Sequence, residues 1–187
     1  MTIGPDHDGA DVALRIERRW AILAFVIVLL LTVLAAAAGI HGAVMPQGQV
    51  EIVDPRLLHI RGEFVESNLG TALEPDGSVT VRAIGQQYSF TPQCILVPAE
   101  TKISFRGTSA DVVHGFLIAG TNLNEMLVPG YVSSFTARFD APGEHVMPCH
   151  EFCGTGHEGM WARVKVVDKQ SFLDQAKDGG RLSCVGQ

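Results

Sequence analysis

The chain has 187 residues, enough for one domain of ordinary size plus an appendage. With 14 basic and 20 acidic residues its formal charge is −6. That balance argues against nucleic acid as a partner and is compatible with docking of a basic protein.

Residues 1–19 are polar and mixed in charge and read as a poorly ordered tail, with Asp11 as a candidate N-cap should the following helix start early. From Trp20 to Ile40 there are 21 residues without a charge, dominated by Leu, Ile, Val, Ala and Phe. As a helix they extend roughly 31 Å, about the thickness of a bilayer's hydrocarbon core. Arg15, Arg18 and Arg19 precede the run, and the next basic residue is Arg56. This asymmetry predicts a cytoplasmic N-terminus and export of everything after residue 41. The run is longer than the roughly 7–15 apolar residues of a signal peptide, so residues 20–41 read as a retained transmembrane helix rather than a cleaved leader.

Residues 42–78 read as a linker and entry to a barrel. His41 to Gln49 carries Gly and Pro, Val50-Glu51-Ile52-Val53 is strand-like but broken by Asp54-Pro55, and Glu74-Pro75-Asp76-Gly77 is a turn. Apolar–polar alternation then recurs over Ser78–Ile84, Thr101–Arg106 and Val132–Phe139, and Trp161–Val167 supplies a further strand. Turn signals at Thr91-Pro92, Val97-Pro98, Val128-Pro129-Gly130 and Ala141-Pro142-Gly143 separate these runs. Several short strands so punctuated predict a mainly β sandwich or barrel over residues 79–168. Lys169 to Lys177 alone looks helical, within a C-terminal tail 169–187.

The chemistry concentrates in Cys149-His150-Glu151-Phe152-Cys153-Gly154-Thr155-Gly156-His157-Glu158-Gly159-Met160, with His114 upstream. Thiolate, imidazole and thioether donors suit copper or zinc and exclude a magnesium- or calcium-type cage. Outside the cytoplasm a lone Cys-x3-Cys pair more often forms a disulfide, and two Cys with two His also satisfy a structural zinc site. Met160 tips the balance toward copper, because a weak thioether ligand is a copper signature. A distant His followed by Cys, His and Met on one loop between strands is the layout of a cupredoxin-type copper site, here with one additional cysteine. That second thiolate permits two bridging sulfurs between two metals, a core suited to moving electrons rather than breaking bonds.

Residues 149–160 read C-x-E-x-C-x3-H-x2-M, and with His114 they resemble the binuclear CuA motif of cytochrome c oxidase subunit II. Val53-Asp54-Pro55, Ser89-Phe90-Thr91-Pro92, Asp111–Phe116 and Gly120-Thr121-Asn122 add to the resemblance, which is greatest to the single-helix subunit II of B-type haem-copper oxidases. It implies a cupredoxin-like Greek-key β-barrel or sandwich behind one transmembrane helix, in the membrane of a bacterium or archaeon. Cys149 and Cys153 would bridge two coppers. His114 and Met160 would complete one copper, His157 and the Glu151 carbonyl the other. In many members the side chain at the Glu151 position also helps hold magnesium at the subunit I interface, a role that B-type members commonly lack. The implied partners are the haem-bearing subunit I and, as donor, cytochrome c or a small copper protein. The implied function is electron entry, with oxygen reduction and proton pumping on another subunit and no catalytic residue on this one.

The sequence departs from the family where its tryptophan-rich motif is replaced by Gln86-Gln87-Tyr88-Ser89-Phe90. Tyr88 and Phe90 are either an aromatic electron-entry surface or alternate strand residues packing the barrel. His150 and His145 read as exposed and without a ligand role. Cys94 and Cys184 are a leftover pair, either a disulfide tying the tail to the barrel or two separate thiols with Cys94 buried in a strand. A membrane-anchored copper chaperone of the Sco type is the less favoured alternative, since such proteins place their Cys pair early in a thioredoxin-like domain and their His long after it. A CuA subunit of a nitric oxide reductase stays open as an alternative.

Overall fold

The computed structural model describes residues 7–42 and 50–184, in two compact units divided after Gly48. In the first, α1 runs His7–Gly42, and within it Asp11–Gly39 is long and apolar enough to cross a membrane. The hydroxyl of Thr32 donates to the carbonyl of Val28 at 2.8 Å, so the helix itself satisfies this polar side chain within the apolar run. The helix begins well before Trp20, which corrects the poorly ordered tail expected over residues 1–19 from His7 onward. Ala, Leu, Arg and Glu between residues 10 and 19 are strong helix formers, and extending an existing helix avoids a second nucleation cost. Residues 1–6 and most of the expected linker 41–49 lie outside the described residues.

The second unit opens on irregular chain rather than the strand suggested by Val50–Val53. Ile52 makes one isolated bridge to Tyr131, and Asp54 then accepts from Arg56 N at 3.0 Å to cap a short 3-10 turn at Pro55–Leu57. Leu58, Phe64 and Leu69 from this segment bury against Ile84, forming a small satellite core.

Ten strands follow. β1 (Gly70–Leu73) pairs antiparallel with β2 (Val79–Gln86) through the predicted turn, closed by Gly77 N donating to the Glu74 carbonyl at 2.9 Å. β3 (Ser89–Thr91) folds back on β2, and β4 (Cys94–Pro98) crosses to another sheet. β5 (Ile103–Ser109) returns to lie parallel to β2. β6 (His114–Leu117) and β7 (Asn124–Leu127) form their own antiparallel pair. β8 (Ser133–Ala137) closes the first sheet against β5. β9 (Gly143–Pro148) and β10 (Trp161–Val167) complete the second, in which β10 runs parallel to β4 and antiparallel to β9.

This is the cupredoxin-like β architecture that the sequence implied. Its shared core contains Val81, Ile95, Phe105, Phe116, Met147 and Val164, all buried. Phe105 stacks on Phe135 at 5.4 Å, while Phe116 meets both edge-on at 6.0 and 5.3 Å. Both geometries are ones that aromatic quadrupoles favour.

α2 (Lys169–Ala176) begins where Asp168 accepts from Ser171 N at 2.8 Å, and it buries Phe172 and Ala176. Beyond it Leu182 exchanges two backbone hydrogen bonds with Thr71, at 2.8 and 2.9 Å. Cys184 is disulfide-bonded to Cys94, with the Cα atoms 5.0 Å apart. The tail therefore covers the outer side of β4, which is why every residue of that strand is buried.

Candidate metal centre

The metal-binding candidates come from two places that the fold presses together. β6 supplies His114, and the loop between β9 and β10 supplies the rest. Contact is at van der Waals limits: a Cβ on Gly115 would lie 2.6 Å from Glu151 N, and His150 N donates to the Gly115 carbonyl at 3.2 Å. Behind the imidazole, a Cβ on Gly85 would lie 3.0 Å from His114 Cδ2. Glycine at both positions is what lets the loop, the histidine and β2 share this space. Cys149 N donating to the Met160 carbonyl at 3.0 Å closes the base of the loop.

Cys149 and Cys153 are free thiols with Sγ atoms 3.8 Å apart, so they are not disulfide-linked. His114 Nδ1 lies 3.8 Å from Cys149 Sγ, and His157 Nδ1 lies 3.6 Å from Cys153 Sγ. Met160 Sδ is 3.7 Å from Cys153 Sγ, and the Glu151 carbonyl oxygen is 3.3 Å from Cys149 Sγ. All six sequence-predicted donors thus converge, those of His114, Cys149 and Cys153 within 4.8 Å of one another. His114, Cys149, Cys153 and Met160 are buried, His157 is half-buried, and the Glu151 side chain is exposed. Soft donors, a short sulfur–sulfur separation and two flanking imidazoles fit a pair of copper ions.

Asp111 is a functional residue to which the sequence reading gave no role. Its Oδ1 lies 2.8 Å from His114 Nε2, a contact that orients the ring and leaves Nδ1 facing the Cys149 thiol. The same carboxylate accepts from Val112 N and, through Oδ2, from Gln87 N, both at 2.7 Å. Burial opposes its charge, but these hydrogen bonds outweigh it and hold the carboxyl below its ordinary range. An Asp three residues before a ligand His was the available signal. Burial, and then the neighbouring Cys149, push the Cys153 thiol up to about 11.

The aromatic pair divides. Phe90 is fully buried, 6.4 Å from the His114 ring and 6.0 Å from Phe116, because alternation along β3 turns it inward. It is core, not surface. Tyr88 is exposed and lies across the metal loop, where a Cβ on Gly156 would come within 2.7 Å of its ring. His150 is exposed, 3.3 Å from Asn124 Oδ1. His145 is not exposed as expected: it is half-buried, its Nδ1 2.9 Å from the Ala119 carbonyl and its ring against Phe139. Phe152 projects from the loop with 80% of its surface exposed and meets His157 edge-on at 5.9 Å.

Residues 86–167 match the family described as cytochrome C oxidase subunit II, periplasmic domain. A cytochrome c oxidase subunit 2 of Thermus thermophilus is 33% identical over 167 residues, covering 87% of this chain and 98% of that protein. A second Thermus thermophilus sequence of the same description is 34% identical, covering 67% of this chain and 93% of its own length. Among solved structures, a chain of a heme-copper terminal oxidase dimer determined by cryo-EM superposes with a TM-score of 0.55 at 24% identity. It covers 80% of this chain and 99% of that one. With its apolar helix, β-domain and converging sulfur and imidazole donors, the chain belongs to the cytochrome c oxidase subunit II family.

Proposed function

We propose that this chain is the electron-entry subunit of a terminal oxidase, built around a binuclear CuA centre. The observation that carries the reading is the pair of buried thiols 3.8 Å apart with an imidazole Nδ1 beside each. When bound, two coppers would supply one-electron transfer with little rearrangement. Cys149 and Cys153 would hold both ions, His114 with Met160 one of them and His157 with the Glu151 carbonyl the other. Asp111 orients the His114 ring, and burial of the sulfurs excludes water and thereby competing chemistry.

Reduced cytochrome c, or a small copper protein, docks where the half-buried His157 and the exposed Tyr88 and Phe152 bring the site to the surface. The electron then leaves for a haem in subunit I, where oxygen is reduced and protons are pumped. The exposed carboxylate of Glu151 is the group that a magnesium ion shared with subunit I would use. The helix is the anchor of a single-pass protein in a bacterial or archaeal cell membrane, with Arg15, Arg18 and Arg19 on the cytoplasmic side and the β-domain outside.

Electron paramagnetic resonance of the copper-loaded chain in detergent tests this. A hyperfine pattern from one electron shared equally by two copper nuclei is expected. A single-copper pattern, or stoichiometric zinc with no signal, would overturn it.

A further inference from the structure

Gln87, in the turn between β2 and β3, has no part in the donor set, yet it touches both halves of the site. Its backbone N–H donates to Asp111 Oδ2 at 2.7 Å, on the carboxylate that orients His114. Its side-chain Nε2 donates to the Cys153 carbonyl at 2.5 Å, in the middle of the metal loop. The loop is shaped to receive it. Gly154 has φ +135°, and a Cβ there would lie 2.9 Å from Gln87 Nε2 and 2.5 Å from Tyr88 Oη. Only glycine offers both that backbone conformation and that room.

We propose that Gln87 is a positioning residue for the metal centre, clamping the Cys153 peptide so that the loop keeps one distance from the β6 histidine. The Cys149–His150 end of the loop is tied to β6 directly, by His150 N donating to the Gly115 carbonyl at 3.2 Å, whereas the Cys153–His157 end relies on Gln87. The loop's own hydrogen bonds, such as His157 N to the Gly154 carbonyl at 3.1 Å, are local and do not tie it to β2. The Tyr88 hydroxyl reaches Thr155 Oγ1 only at 3.5 Å. Without the amide donor, the Cys153–Gly154 peptide keeps its covalent path but loses its cross-strand anchor, and the Cys153 and His157 side chains lose their fixed register against His114. The role extends the metal-centre reading above but does not depend on it for its test, because the clamp exists in the metal-free loop.

The test is Gln87→Met, which keeps the volume and removes the donor, with Gln87→Glu as a second variant that places only acceptors against the carbonyl at neutral pH. Gln87 is exposed, so neither change opens a core cavity. Gln86→Met, at the exposed end of β2, is the control. The first readout is amide hydrogen exchange of residues 153–157 in the metal-free chain. Both Gln87 variants should exchange there roughly 3- to 10-fold faster, as the loss of one hydrogen bond implies, and the control should not. The second readout is copper release to a chelator, which should accelerate by a similar factor, with changed copper hyperfine couplings. Loop exchange equal to that of the unaltered chain in Gln87→Met would overturn the clamp. So would equal acceleration in Gln86→Met. Unchanged exchange in Gln87→Glu beside faster exchange in Gln87→Met would also sink it, because the donor would then not be the cause. If exchange responds as expected but no binuclear copper signal ever forms, the clamp stands and the CuA reading falls.

Discussion

Two regions of the β-domain are held by opposite means. Around the metal loop the polar groups are two buried thiols, the buried His114, the half-buried His157 and one hydrogen-bonded carboxylate, and the thiols must lose protons to a metal. In the entry segment the ties are ionic. Arg106 meets Glu63 through two nitrogens at 2.5 and 2.6 Å, and Arg82 reaches Glu63 at 3.0 Å and Glu74 at 2.7 Å. These pairs fasten a segment without regular strands, and its satellite core of Leu58, Phe64 and Leu69, to β2 and β5. The metal loop should therefore respond chiefly to metal and the entry segment to charge, each with little effect on the other.

Cys149→Ser or Cys153→Ser should have the largest effect, and confine it to the loop. Either removes one of the two thiols on which the proposed centre rests, and the shared-electron resonance signal should vanish while the fold, read by circular dichroism, persists. On the other side, Glu63→Gln leaves two guanidinium groups without their common partner. Complete burial would make that loss cost about 3–5 kcal/mol. Glu63 retains 24% of its side-chain exposure, so about 2 kcal/mol is expected, read by chemical denaturation at pH 7. The copper signal should be unchanged.

The two regions should also separate in acid. Burial opposes the Glu63 charge, but hydrogen bonds and charge from Arg106, then Arg82, win and lower its pKa. A depressed folded pKa contributes stability that is complete above the unfolded value and is lost as pH falls through the folded one. The difference between the Glu63→Gln variant and the unaltered chain should therefore shrink as the pH drops below the ordinary carboxylate range. Copper uptake should show another profile. Cys153, at about 11, is protonated at neutral pH, so each thiol proton displaced should weaken apparent copper affinity by up to tenfold per pH unit of acidification. Competition titrations at pH 6, 7 and 8 read this. Met160→Leu should act within the loop only, keeping copper but moving its potential and spectrum, because a weak thioether ligand would tune the site rather than build it. A retained spectrum would remove Met160 from the ligand set.

Much of this was legible in the sequence, and the exceptions share a cause. The strands of the β-domain announced themselves by alternation between turn residues, and the donors by type and spacing. The exceptions depend on which residues of distant segments meet. Val50–Val53 has strand composition, but apart from the Ile52 bridge no partner strand lies beside it, so it stays irregular. His145 looked exposed on an edge until Phe139 and the Ala119 carbonyl covered it. The contact of Asp111 with His114 is signalled by its i,i+3 spacing, but the hydrogen bond it accepts from Gln87 N, 24 residues away, is carried by no local pattern.

Glu51 and Glu63 bind the same guanidinium of Arg106, each with an Nη2–oxygen distance of 2.6 Å. What differs is water: Glu51 keeps 53% of its side-chain exposure, against 24% for Glu63. Exposed pairs gain little in high dielectric and are screened by salt, so Glu51→Gln should cost about 0.5 kcal/mol or less. That loss should disappear at about 1 M salt, where screening acts within about 3 Å, whereas the Glu63→Gln loss should largely survive. Should Glu51→Gln cost as much as Glu63→Gln, contact geometry rather than burial would govern the ionic region.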